Sequence, residues 1–140
     1  MLKNINPLLT GDLLGILADM GHGDEIVVVD ANFPAAALAG RLVRLPSATA
    51  PEALGAILEL MPIDDFIDPP TAAMQAPQAR PAMYETFGDQ LRQAEGREVA
   101  IDMIERFAFY ERTRQAYAVV ATSERRLYGN ILLTKGVVRG

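Results

Sequence analysis

GHGDEIVVVDANFP, residues 21 to 34, decides the fold. Its centre, Glu25 to Val29, ends in consecutive valines, is too short for a helix and shows no period-two alternation. That pattern predicts a strand covered on both faces, as in a parallel sheet. Asp30 then marks the carboxyl end of the strand, where open α/β sheets place their binding crevices. Asn32-Phe33-Pro34 breaks the strand, and the only histidine of the chain, His22, precedes it.

Working outward, Gly11 to Met20 sets Leu13, Leu14, Ile16, Leu17 and Met20 at helical spacing, with Thr10 as the cap and Gly21 as the stop. On the other side, Ala35 to Ala39 predicts a short helix and Arg41 to Leu45 a second strand. Pro51 suits the first position of a helix running to about Met61. Residues 62 to 80 are rich in proline and carry Asp64, Asp65 and Asp68, which predicts a long loop broken only by a brief strand near Ala72 to Gln75. A helix from about Pro81 to Ala94, stopped at Gly96, is followed by a strand from Val99 to Ile104. A further helix spans Phe107 to Ala116, with Arg106 at the junction. Tyr117 to Ala121 and Gly129 to Thr134 read as strands joined as a hairpin through the polar turn Ser123 to Leu127. The alternation predicts one α/β domain over residues 1 to 140, three-layered, with a mostly parallel but mixed central sheet and helices on both faces.

Composition narrows the function. At 140 residues the chain is one domain with room for a core. No apolar run reaches the roughly 20 residues of a membrane span, and the opening MLKNINP has no signal-peptide core, so no membrane association is expected. The absence of cysteine excludes disulfides and thiolate metal sites and fits a reducing, cytoplasmic location. A net charge of −5 argues against nucleic acid as a partner. With half of its residues hydrophobic, so short and acidic a chain is expected to bury apolar surface between subunits. Phosphate-binding, dinucleotide-binding, serine-hydrolase and zinc-protease motifs are all missing.

Taken alone, a single histidine after a helix, as His22 is, is more often a helix-end dipole partner or a surface residue than a proton-transfer group. Gly21 and Gly23 allow close backbone approach, and Asp24 or Glu25 is placed to orient the imidazole. Asp30 fits a capping residue or an acceptor for ligand hydroxyls equally. Asp64, Asp65 and Asp68 lack the glycine and terminal glutamate of a calcium loop, and one histidine without cysteine is no zinc site, so no metal is expected. In ERFAFYER, residues 105 to 112, Phe107 and Tyr110 share a helix face beside Arg106. Tyr128-Gly129-Asn130 reads as a tight corner. An aromatic ring, carboxylate and amide groups and an arginine are the usual lining of a carbohydrate site.

Three ordered blocks, LLTGDLLGILADMGHGDEIVVVDANFPA, ERFAFYER and LYGNILLTKGV, resemble the family that contains the L-fucose mutarotases and the D-ribose pyranases. The resemblance runs through nearly the whole chain; PIDDFIDPP is the part least similar. ERFAFYER favours the fucose branch, because ribose pyranases place a histidine near the position of Arg106. The resemblance implies that His22 is the proton donor and Asp30 a sugar-binding carboxylate. It implies substrate contacts from Arg106 and from Tyr128, Gly129 and Asn130, with Asp64 and Tyr110 as further contacts. The implied activity is cofactor-independent exchange of the α and β anomers of L-fucose or a related monosaccharide. The implied assembly is a homo-oligomer, a decamer of stacked pentamers. Two alternatives stand beside it: a pyranose/furanose isomerase of the ribose-pyranase type, and a noncatalytic sugar-binding subunit.

Overall fold

A computed structural model describes residues 1 to 77 and 80 to 140. The predicted loop over 62 to 80 therefore includes two positions, 78 and 79, that lie outside the described residues. In chain order the elements are α1 (Gly11–Asp19), β1 (Glu25–Val29), α2 (Ala35–Leu38), β2 (Leu42–Leu45), α3 (Ala50–Leu58) and β3 (Thr71–Met74). They continue with α4 (Ala82–Glu95), β4 (Ile101–Ile104), α5 (Arg106–Gln115), β5 (Ala118–Thr122) and β6 (Ile131–Thr134).

The strands form one sheet in the order β2-β5-β1-β6-β3-β4. β1, β2 and β5 pair in parallel, as do β3 and β4, while β6 runs antiparallel between β1 and β3. Alternate residues of β1 supply both faces. Ile26 and Val28 pack with Leu13 and Leu17 of α1, Leu54 and Ile57 of α3, and Phe87 and Leu91 of α4. Val27 and Val29 face the other way, onto Ala35 of α2 and Phe109 of α5. The three-layer mixed α/β domain is thus the one expected, and its strand β1 is buried on both sides because both of its faces are apolar.

Local chemistry explains the ends of the helices. The Thr10 hydroxyl caps α1, and Thr49 with Glu52 forms a reciprocal capping box on α3. The α4 helix stops at Gly96, whose φ of 69° suits glycine. Gly21, in contrast, does not stop α1. Met20 is the capping residue, in an extended conformation, and the left-handed turn comes later, at Gly23, φ 89°.

The brief strand expected near Ala72 to Gln75 is present as β3, a fully buried interior strand between β6 and β4. One expectation needs correction: the β5–β6 hairpin does not form, since β1 lies between the two strands. The connecting segment crosses the carboxyl end of β1 and spends its hydrogen bonds there: the Ala31 N–H donates to the Glu124 carbonyl, and the Asp30 N–H to Asn130 Oδ1. Thr122 Oγ1 donates to the Val29 carbonyl beside them.

Candidate active site

Because β6 is antiparallel to β1, the residues entering β6 meet the residues leaving β1. That places Asn130 against Asp30. Asn130 Nδ2 donates to Asp30 Oδ2 at 3.1 Å and Asn130 Oδ1 accepts from the Asp30 N–H at 2.8 Å, with both residues buried. The Asn32 N–H donates to Asp30 Oδ1 at 2.9 Å. Burial pushes the Asp30 carboxyl up, and these hydrogen bonds, with one from Gly129, offset only part of the rise.

Asp30, Asn32, Phe33, Met74, Arg106, Tyr110, Leu127, Tyr128 and Asn130 enclose a cleft of about 250 Å³. Arg106 is the first residue of α5, after Glu105, whose carboxylate accepts from the Phe107 and Ala108 N–H groups. Its guanidinium lies 4.6 Å from the centre of the Phe107 ring. Phe107 and Tyr110 do share a face, with ring centres 6.0 Å apart, and Phe33 meets Tyr110 edge-on at 5.3 Å. Tyr128 adopts φ 62°, turning the corner into Gly129. A Cβ on Gly129 would stand 2.8 Å from Glu124 Cγ and 3.5 Å from Asp30 Cβ, so only glycine lets this corner close on Asp30.

His22 is elsewhere. It precedes β1, whereas Asp30 follows it, so the five residues of β1, about 16 Å at ~3.3 Å per residue, separate the two. At this opposite end of the sheet, His22 Nε2 lies 2.8 Å from Asp64 Oδ1. The His22 side chain is 43% exposed and that of Asp64 only 3%. The Phe66 ring packs 4.7 Å from the imidazole. Asp64 is held by its N–H to the Thr134 carbonyl, and its own carbonyl accepts from Arg97 Nη2 at 3.0 Å.

Burial acts to push the Asp64 carboxyl up, but the hydrogen bonds from His22 and the Phe66 N–H and the attraction of the imidazole outweigh it, and the carboxyl is held below its usual value. Asp64 is therefore ionised at neutral pH and can only accept. The proton of the shared hydrogen bond then belongs to Nε2, which leaves Nδ1 as the nitrogen free to exchange a proton.

The expected orienting groups, Asp24 and Glu25, are engaged differently. Asp24 Oδ2 accepts from the Gly21 N–H, and Glu25 pairs with Arg112. Of the residues singled out from the sequence, Asp30, Arg106, Tyr110, Tyr128, Gly129 and Asn130 gather at one end, and His22 and Asp64 at the other. Phe33, Met74 and Phe66 were not singled out, although Phe33 lies in the deciding stretch and Phe66 in the acidic loop. Among the described residues no three His, Cys, Asp or Glu side chains converge as metal ligands, and no helix is long and apolar enough to cross a membrane.

Fold and cleft define an α/β protein whose crevice at the strand ends suits a small, hydroxyl-rich ligand. The chain belongs to the RbsD / FucU transport protein family, matched over residues 3–138. It is 43% identical to the L-fucose mutarotase of Histophilus somni (strain 2336) over 140 residues, covering 98% of this chain and 97% of that one. It is 43% identical to the fucose mutarotase of Homo sapiens, covering 98% of this chain and 94% of that one. Among solved structures, the fucose mutarotase of Streptococcus pneumoniae in complex with L-fucose superposes with a TM-score of 0.93 at 41% identity, covering 99% of this chain and 100% of that one. RbsD of Bacillus subtilis complexed with D-ribose is more distant, with a TM-score of 0.78 at 26% identity.

Proposed function

We propose that the protein is a mutarotase, an isomerase that interconverts the α and β anomers of L-fucose without a cofactor. The single observation that carries the chemistry is the His22–Asp64 pair: an ionised, buried carboxylate engages one nitrogen of a partly exposed imidazole and leaves the other for proton exchange. A protein that only bound sugar would need hydroxyl partners and no such pair. Relatives named as fucose mutarotases at 39–43% identity favour L-fucose over ribose, whose complexed RbsD structure is 26% identical.

Mutarotation requires removal of a proton from the anomeric hydroxyl and delivery of one to the ring oxygen, so that the ring opens to the aldehyde, rotates and recloses. The reaction is spontaneous in water, and acid–base assistance worth about 10² to 10⁴ with orientation is sufficient. Protonated His22 donates from Nδ1 to the ring oxygen while Asp64 holds Nε2, and a water or a second polar group at the site takes the proton of the anomeric hydroxyl, so that one proton is delivered for each one removed. Asp30, with Asn130 locking its carboxylate, accepts sugar hydroxyls, and Arg106 donates to them. Tyr110 and Phe33 form the apolar wall for the C–H face of the ring.

Since β1 separates His22 from the cleft within one chain, this chemistry places the His22 end of one copy at the cleft of another. Exposed apolar side chains at both ends support that arrangement: Phe66 and Ile67 beside His22, and Phe107 and Leu127 at the cleft. The assembly is a homo-oligomer, for which we take the decamer of stacked pentamers, and the cysteine-free chain belongs in the cytoplasm. NMR saturation transfer between L-fucose anomers tests the reading. The native protein accelerates exchange, and the His22→Gln and Asp30→Asn variants each abolish the acceleration. Co-expressed in equal amounts, the two variants regain about a quarter of it, the random-mixing expectation for a site shared between two copies. No exchange by the intact native protein, or full exchange by His22→Gln, refutes the mechanism.

A further inference from the structure

One residue grips the backbone on both sides of His22 and is part of neither the cleft nor the His22–Asp64 pair. Lys135 directly follows β6. Its N–H donates to the Asp24 carbonyl at 2.9 Å, and its own carbonyl accepts from the Gly23 N–H at 2.9 Å. It also forms the isolated antiparallel bridge to Ile63, the residue before Asp64. Its side chain turns the other way: Nζ donates to the carbonyls of Leu17, at 2.7 Å, and of Met20.

Those two carbonyls close α1, which has no basic residue in its last turn. The exposed ends of helix carbonyls carry partial negative charge, and a cation there is bound favourably. Here the cation comes from a strand end more than a hundred residues away, so the helix terminus is pinned to the sheet rather than merely capped. Only Met20 and Gly21 lie between that terminus and His22. We propose that Lys135 is a positioning residue for proton transfer: its ammonium fixes the end of α1, and thereby the direction in which the His22 ring meets Asp64 and presents Nδ1.

The inference rests on the proposed role of His22, yet it has a readout of its own. His22 is the only histidine, so the imidazole region of a ¹H–¹⁵N correlation spectrum reports this ring alone. In native protein the ring shows the Nε2-protonated tautomer. In Lys135→Met, which keeps the stem and loses the donors, the ring signals move toward a mixture of tautomers. The kcat for anomer exchange falls about 10-fold with KM changed less than about twofold, the scale expected of a small displacement of an acid–base group. Lys135→Arg, which retains donors, restores kcat to within about threefold of native.

Native ring signals and native kcat in Lys135→Met overturn the proposal. So does a kcat loss that only tracks the unfolded fraction, measured by circular dichroism, while the folded fraction keeps the native ring signals. If native protein accelerates no exchange, the proposed function fails, and the ring spectra of native protein and Lys135→Met still decide whether Lys135 positions His22.

Discussion

Asp64→Asn probes the pair on which the chemistry depends, because it preserves the shape of a buried side chain and removes its charge. In the native protein Asp64 Oδ1 accepts from both His22 Nε2, at 2.8 Å, and the Phe66 N–H, at 3.3 Å. The Phe66 N–H still needs an acceptor in the variant, so the amide oxygen stays toward it and the fold survives. The bond to Nε2 is then between neutral groups. A hydrogen bond to a charged partner contributes about 1.5–3 kcal/mol and a neutral one about 1 kcal/mol, which leaves a loss of about 0.5–2 kcal/mol. At ~1.4 kcal/mol per decade, anomer exchange slows about 2- to 30-fold.

The assay is saturation transfer between the L-fucose anomers, paired with the His22 ring spectrum and calorimetric fucose binding. The expected pattern is slower exchange, a less uniform tautomer and unchanged sugar affinity. A native rate with native ring signals would refute the positioning argument. A loss of affinity larger than the loss of rate would make Asp64 a direct sugar contact, as the sequence resemblance implies, rather than the anchor of His22.

Two further outcomes follow from the packing around the two ends of the sheet. In Gly136→Ala the new Cβ would stand 2.7 Å from the Ile63 carbonyl oxygen and 2.9 Å from Asp64 Cα, both backbone, so the bridge to the Asp64 loop must move. Overpacking of this kind costs about 1–3 kcal/mol, and thermal unfolding should fall accordingly while the His22 ring signals shift. Glu124 is held at about 2 against an ordinary 4.5 by its hydrogen bonds from Arg126, which outweigh burial. A depressed carboxylate contributes stability that is fully present above pH 4.5 and is lost as pH falls toward 2. The gap corresponds to at most about 3–4 kcal/mol at ~1.36 kcal/mol per pH unit, trimmed by solvent screening of the exposed Arg126. Urea unfolding at pH 7 and pH 3 should show that acid loss in the native protein and a shallower one in Glu124→Gln.

The sequence made the layers legible because each rests on a local rule. Thr10 and Thr49 are capping residues in place, Gly96 stops α4, and the valines of β1 have no polar face to expose to water. What the sequence did not reveal was where the last strand goes. A tight corner between two apolar runs predicts a hairpin, but here the corner closes on Asp30 instead, through the two side-chain contacts of Asn130. The partner of His22 was hidden for a similar reason. Neighbours in sequence offered two carboxylates, Asp24 and Glu25, and the structure commits both elsewhere, bringing Asp64 from 42 residues away. Its route is the bridge between Ile63 and Lys135, which no local pattern announces.

The opposite treatment of the two buried carboxyls supports the different tasks proposed for them. Asp30 and Asp64 are both removed from water, which by itself raises both. Asp64 has a partner that can become a cation, and the attraction overrides burial. Held as an anion, it suits the proposed orientation of His22 rather than proton exchange with a sugar. The ties of Asp30 are to an amide and to backbone N–H groups, neutral donors that offset burial only in part. Its carboxylate keeps more basicity than an exposed aspartate and lines the cleft. Two carboxyls pushed in opposite directions mark distinct roles in one acid–base device. They sit at opposite ends of β1, which is why the proposed mechanism needs the His22 end of one copy to meet the cleft of another.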